Sequence, residues 1–304
     1  MFFQTITGSG AVVIREDFFQ REAEVFHYLD WGGQGPLAYL AHATGMCAGT
    51  YSPLADKMLS FLRVIGMDDR GHGRTRATAD PKALKNWDIF VEDLERFVEF
   101  LQEPVIPIGH SRGGVVGLYL AVKRPDLVRA LVLLDPTILP FSWMWWWYLA
   151  KKAGLAKYVP IAARAARRRA VWPDEQSIRE TYLTKSSFRH WQEGFLESYL
   201  ACGCQPTGEG TVRLTCDPAW ESKCFSVCPH DVWGYIPRIT CPVLVIYGEQ
   251  SDTFLASAAK RMKRLNPQTV LQGFPGTGHF VPMERPQEVS AAIFKFLIEK
   301  GILP

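Results

Sequence analysis

Short apolar runs and stretches with apolar residues at helical spacing take turns along most of the chain. Residues 24–30 (Glu-Val-Phe-His-Tyr-Leu-Asp) and 37–41 (Leu-Ala-Tyr-Leu-Ala) predict two opening strands, residues 51–60 a helix, and residues 62–67 the next strand. Ile89, Phe90, Val91, Leu94, Phe97, Val98 and Leu101 recur at helical spacing, so residues 87–101 predict a helix. A strand over 103–108, a buried helix over 115–122 and a strand over 130–134 follow. The alternation resumes with a strand over 241–247, a helix near 253–265, a strand over 269–272 and a closing helix over 286–299. Strands alternating with helices predict an α/β fold: a mostly parallel, twisted sheet covered by helices on both faces.

Between these two series the pattern breaks. Residues 137–238 read as helical stretches interrupted by Pro160, Pro173, Pro206 and Pro218, so a core of residues 1–136 and 239–304 is expected to carry a helical cap at 137–238. An insertion after one strand of a parallel sheet leaves from the carboxyl edge, where open α/β sheets bind ligands, and is expected to act as a lid. It holds 13 Lys and Arg against 9 Asp and Glu, and eight of the ten tryptophans, which predicts an apolar, aromatic ceiling over the site.

Composition narrows the function. With 47% apolar residues over 304 positions a large core is available, and a net charge of +3 gives no footprint for nucleic acid. The longest apolar stretch, residues 138–150, contains a proline and is shorter than the ~20 residues a spanning helix needs. Residues 1–10 lack a basic start and an uninterrupted apolar run, so no signal peptide and a cytoplasmic location are expected. Seven cysteines at 47, 202, 204, 216, 224, 228 and 241 are then expected to be reduced or locally paired; a zinc site from Cys202, Cys204, Cys216, Cys224, Cys228 and His230 is the weaker reading, because paired Cys-x2-Cys knuckles are missing.

The chemistry concentrates in four loops. Pro107-Ile-Gly-His-Ser-Arg-Gly-Gly114 places Ser111 on a sharp turn between a strand and a helix, a nucleophile elbow whose glycines leave room for the turn to close. His42-Ala-Thr-Gly-Met46 follows a strand and offers backbone N–H groups toward it. A serine hydroxyl needs a base and a group that orients the base. Asp252, in Tyr247-Gly-Glu-Gln-Ser-Asp252, and His279, in Gly276-Thr-Gly-His279, supply these in the order serine, acid, histidine. Asp135, at the end of the strand before the insertion, is the alternative acid.

With Asp69-Arg-Gly-His-Gly73 and Gly278-His-Phe-Val-Pro-Met-Glu-Arg-Pro286 added, the chain resembles the α/β-hydrolase superfamily, in the esterase- and epoxide-hydrolase-like branch with a helical cap, from about residue 20 to the end. The resemblance implies Ser111 as nucleophile, His279 as base and acid, Asp252 as orienter, and an oxyanion hole from the backbone N–H groups of Thr44 and Arg112. Ala43 departs from it, standing where the family commonly has glycine. Serine at the elbow resembles esterases and not the carboxylate-dependent epoxide hydrolases.

Further assignments follow from residue type. His42, His72 and His110 are expected to brace loops, with His42 and His110 as secondary candidates for the substrate pocket. Asp69 and Arg70 are expected to pair locally, and the Arg112 guanidinium to meet a carboxylate. Trp143 and Trp147 are candidates for pocket lining or for the interior of the insertion, and with Lys151, Lys152 and Arg164 to Arg169 for peripheral membrane contact or a homodimer face. The expectation is a serine hydrolase that cleaves apolar carboxylic esters or thioesters, small molecules, through an acyl-enzyme, with no metal or organic cofactor. Hydrolysis of a lactone or a carbon-carbon bond, and a non-catalytic ligand receptor, are the alternatives.

Overall fold

The computed structural model describes residues 3–5 and 12–304. The leader reading of residues 1–10 falls for the most part outside these. The chain runs through β1 (Phe3–Thr5), β2 (Val12–Arg21), β3 (Glu24–Gly33), β4 (Leu37–Ala41), helix α1 (Ser52–Asp56), β5 (Arg63–Met67), α2 (Asp88–Leu101), β6 (Ile106–His110), α3 (Arg112–Lys123) and β7 (Leu131–Leu134). An inserted stretch carries α4 (Phe141–Lys152), α5 (Pro160–Ala166), β8 (Val171–Trp172), α6 (Glu175–Leu183), α7 (Phe195–Gly203), β9 (Cys204–Pro206), β10 (Val212–Leu214) and α8 (Pro218–Ser226). It is followed by β11 (Val243–Gly248), α9 (Ala256–Leu265), β12 (Val270–Phe274), α10 (Val281–Glu284) and α11 (Pro286–Glu299).

Nine strands form one sheet in the order β1-β2-β3-β5-β4-β6-β7-β11-β12. From β5 to β12 every neighbouring pair is parallel, and β1, β2 and β3 complete one side in antiparallel pairing. The inner strands are continuous apolar runs because helices cover both of their faces: every residue of β6 and β7 is buried. Along β7 the side chains alternate between two cores. Leu131 and Leu133 join Phe97 of α2 and Leu118 of α3 on one face. Val132 and Leu134 join Leu54 of α1 and Phe296 of α11 on the other. Burying each such side chain contributes about 1.5–3 kcal/mol, enough in sum to hold the sheet edge as a rigid platform.

Three features depart from expectation. Strand β2 pairs with β3 from Arg15↔Asp30 to Arg21↔Glu24, although its Arg-Glu-Asp centre hides the alternation. The inserted stretch is not wholly helical: β8, β10 and β9 form a separate antiparallel sheet. Reduced or locally paired thiols are corrected for two cysteines, since Cys47, just past β4, is disulfide-bonded to Cys202 on α7. Contact between α7 and the turn at Ala48–Tyr51 brings together residues that are distant in the chain.

Among the described residues no helix is long and apolar enough to cross a membrane. Nor do three or more His, Cys, Asp or Glu side chains among them assemble into a possible metal site, so the zinc alternative has no ligand set. Burial pushes the Cys224 and Cys228 thiols up to about 12, which leaves them protonated and poorly nucleophilic.

Candidate active site

At the end of β6 the backbone turns into α3 through Ser111, at φ 56° and ψ −116°. A side chain on Gly109 would strike the backbone of Gly113, and one on Gly113 would come within 2.6 Å of the Ala41 carbonyl oxygen. The elbow closes because those side chains are missing. The turn is over-determined by its neighbours: the Ser111 N–H donates to the Leu134 carbonyl at 3.0 Å, and the Thr137 N–H donates to the Ser111 carbonyl at 3.3 Å.

Ser111 Oγ lies 3.1 Å from His279 Nε2, and His279 Nδ1 lies 2.7 Å from Asp135 Oδ1. A carboxylate can only accept, so Nδ1 carries the proton and Nε2 presents its lone pair to the serine hydroxyl. Asp135 is fully buried, with its backbone at φ 42°. Its Oδ1 also accepts from Ser251 Oγ at 2.6 Å, and its Oδ2 from the Gly248 N–H at 2.9 Å. Three donors therefore converge on this carboxyl group in a place closed to water.

The structure does not bring Asp252 to His279. Asp252 is exposed, and its Oδ1 accepts from the Thr253 hydroxyl at 3.2 Å. The reason is the path of the loop after β11. The Ser251 N–H returns to the Gly248 carbonyl, which turns Ser251 inward and leaves Asp252 outside. That loop's contribution to the centre is a serine hydroxyl that orients the Asp135 carboxylate.

Beside the elbow, Ala41 of β4 is in register with Gly109 of β6, so residues 42–45 and 110–113 leave the same edge side by side. The Ala43 N–H donates to Tyr51 Oη and the Gly45 N–H to His72 Nε2. Between them the Thr44 N–H meets no partner among the described residues, and the Arg112 N–H opens the first turn of α3. The Thr44 hydroxyl is fixed by Arg112 Nε at 3.0 Å. The Arg112 guanidinium stacks 4.2 Å from the Phe90 ring centroid, and its Nη1 is 2.8 Å from Asp69 Oδ2 without pointing its N–H at the oxygen. Asp69 thus pairs with Arg112 and not with its neighbour, while Arg70 makes a bidentate pair with Asp93 at 2.7 and 2.9 Å.

The histidines expected to brace loops do so. His42 Nε2 accepts from the Asp69 N–H and His72 Nε2 from the Gly45 N–H; each Nδ1 donates to a backbone carbonyl. His110 Nδ1 accepts from Tyr51 Oη at 2.7 Å and its Nε2 donates to the His279 carbonyl at 2.9 Å. All three rings are fully buried, and burial depresses their pKa values, so they stay neutral. Their ring nitrogens are occupied, which removes His42 and His110 from the substrate-pocket candidates. Tyr51 and Thr137 carried no motif. Tyr51 links the Ala43 N–H to His110 and so to the His279 loop, and the Thr137 hydroxyl is 2.9 Å from Ser111 Oγ.

The tryptophan candidates separate. Trp147 is buried and donates its indole N–H to the Cys228 carbonyl at 2.7 Å, which makes it part of the interior of the insertion. Trp143 is 53% exposed on α4.

A family model described as the alpha/beta hydrolase family matches residues 38–292. The chain belongs to this family and is a hydrolase. It is 26% identical over 266 residues to the 2-(acetamidomethylene)succinate hydrolase of Mesorhizobium japonicum, covering 87% of this chain and 89% of that protein. It is 25% identical over 276 residues to the sn-1-specific diacylglycerol lipase ABHD11 of Mus musculus, covering 90% and 84%. Among solved structures, E-2-(acetamidomethylene)succinate hydrolase superposes with a TM-score of 0.78 at 22% identity, over 93% of this chain and 99% of that one.

Proposed function

We propose that the chain is a serine hydrolase that cleaves carboxylic esters or thioesters of apolar substrates through an acyl-enzyme. The continuous series Ser111 Oγ, His279 and Asp135 carries this reading. Ser111 attacks the carbonyl carbon while His279 Nε2 takes its proton. Asp135 holds the ring in that tautomer and stabilises the imidazolium. The oxyanion is received by the backbone N–H groups of Thr44 and Arg112, each free of a competing partner on the same edge. Losing one such donor typically costs about 3–4 kcal/mol of transition-state stabilisation. His279 then protonates the leaving group and later takes a proton from water, which releases the acid and restores Ser111.

Residues 137–238 act as a cap over this edge, and an apolar ester is the substrate class assigned to it. The relative named as a diacylglycerol lipase is consistent with that class. The test is labelling with a fluorophosphonate. Wild-type protein is expected to be labelled and Ser111→Ala is not. Absence of labelling in folded wild type removes the serine mechanism.

A further inference from the structure

The outer face of α4 carries apolar side chains that nothing in the fold covers. Its inner face packs through Met144 and Trp147. On the other side Trp145 is 65% and Trp146 75% exposed, and the strip continues through Leu149, Leu155 and Tyr158 to Ile161 on α5. A helix that is apolar all round is ordinarily enclosed on every side. Here the rings of Trp143, Trp145 and Trp146 stand in solvent. Isolated exposed apolar residues are ordinary, whereas a contiguous aromatic strip marks a contact surface.

Charge indicates the partner. Between Asp135 and Asp174 there is no acidic residue, while the same stretch holds Lys151, Lys152, Lys157, Arg164, Arg167, Arg168 and Arg169. Only Arg168 has a carboxylate partner among the described residues, Glu221; elsewhere exposed basic side chains such as Lys123 and Arg129 are paired. Lys152 and Lys157 lie against the Tyr148 and Tyr158 rings at 4.7 and 5.0 Å, which leaves their charges at the edge of the aromatic strip. An isologous dimer through this face would set the two positive sets against each other. A surface that is anionic at the headgroups and apolar just beneath accepts both features, and tryptophan is the residue that prefers that boundary.

We propose that α4, the following turn and α5 form an interfacial anchor for an anionic phospholipid surface. The proposal does not depend on what the serine centre cleaves. Helix α4 begins six residues beyond Asp135, so the anchor holds the carboxyl edge of the sheet against the lipid.

Co-sedimentation of the full chain with vesicles of phosphatidylcholine containing about 30% phosphatidylserine, against phosphatidylcholine alone, tests this. Partition onto the anionic vesicles is expected to be at least tenfold higher, with a blue shift of tryptophan emission and quenching by brominated acyl chains. It should fall about tenfold between about 0.05 and about 0.5 M salt. Trp145→Ala/Trp146→Ala should lose at least tenfold in partition with its thermal midpoint unchanged, and Lys152→Glu/Lys157→Glu should lose the preference for anionic lipid. No sedimentation at low salt, no quenching in wild type, or equal binding by the double tryptophan variant overturns the proposal. So does a tryptophan-dependent dimer that ignores vesicles, which assigns the strip to a second copy.

Discussion

Asp135→Asn is the substitution that tests the relay most severely, because an amide fits the same space but cannot satisfy the same three donors. The Asp135 carboxylate accepts from His279 Nδ1 and Ser251 Oγ at one oxygen and from the Gly248 N–H at the other. If the asparagine oxygen faces His279, its NH2 points at the Gly248 N–H, and two buried donors oppose each other at a cost of about 1–3 kcal/mol. The favoured orientation is therefore the reverse, with the oxygen on Gly248 and the NH2 on His279. His279 Nδ1 must then accept, its proton moves to Nε2, and Ser111 Oγ loses its base. A wrong tautomer in an otherwise intact triad costs about 10³–10⁴ in kcat, or about 4–5.5 kcal/mol in barrier. The assay is kcat/KM on a p-nitrophenyl ester together with the rate of fluorophosphonate labelling, with folding checked by circular dichroism. Asp252→Asn, exposed and bonded only to Thr253, should stay within about twofold of wild type, as expected of a surface change. A folded Asp135→Asn that keeps more than a tenth of the activity, or an Asp252→Asn that loses a hundredfold, refutes the assignment.

Two further outcomes follow from groups outside the relay. The Cys47–Cys202 bond closes a sequence separation of 155 residues, and its loss should lower stability by about 2–5 kcal/mol, read as a fall in thermal midpoint under reductant and in Cys47→Ser. Thiol titration of the oxidised, unfolded chain should count five free cysteines; seven would remove the bond. The neutral rings of His42, His72 and His110 predict acid lability. Burial depresses each folded pKa below the ordinary 6.5, so at pH values under 6.5 the unfolded chain binds more protons and stability falls as pH falls. With three such groups the limiting slope is about 4 kcal/mol per pH unit. Urea unfolding from pH 7 to 5 should show a declining midpoint, and a flat or rising midpoint contradicts the assignment of neutral rings.

Local chemistry accounts for what could be read in advance. Ser111 was readable because an elbow needs Gly109 and Gly113 at fixed offsets, and the structure shows backbone where their side chains would stand. Interior strands were readable as continuous apolar runs, while β2 was not, since its polar centre at Arg15, Glu16 and Asp17 is exposed or half-buried. The pairing of His279 with Asp135 lay beyond such rules. Strands β7 and β11 are parallel neighbours with Leu134 opposite Ile246, so Asp135 and the loop holding Asp252 leave the sheet edge side by side. Chain order favours the later residue; proximity to His279 is decided by one hydrogen bond from Ser251 to Gly248 that turns the loop by a single position. The same holds for Tyr51 and Cys202, whose partners at His110 and Cys47 lie far along the chain and leave no local signature. Asp135 at φ 42° adds a physical reason to prefer it: a non-glycine residue in that region costs about 1–3 kcal/mol and persists only where its surroundings hold it. Two backbone bonds, from the Asp135 N–H to Ile246 and from the Ser111 N–H to Leu134, bind that strained residue to β11 and the strained serine to β7, its neighbouring strand. Ser111 and Asp135 are thus positioned by one rigid edge, and only His279 arrives on a loop, held there by the donor on His110.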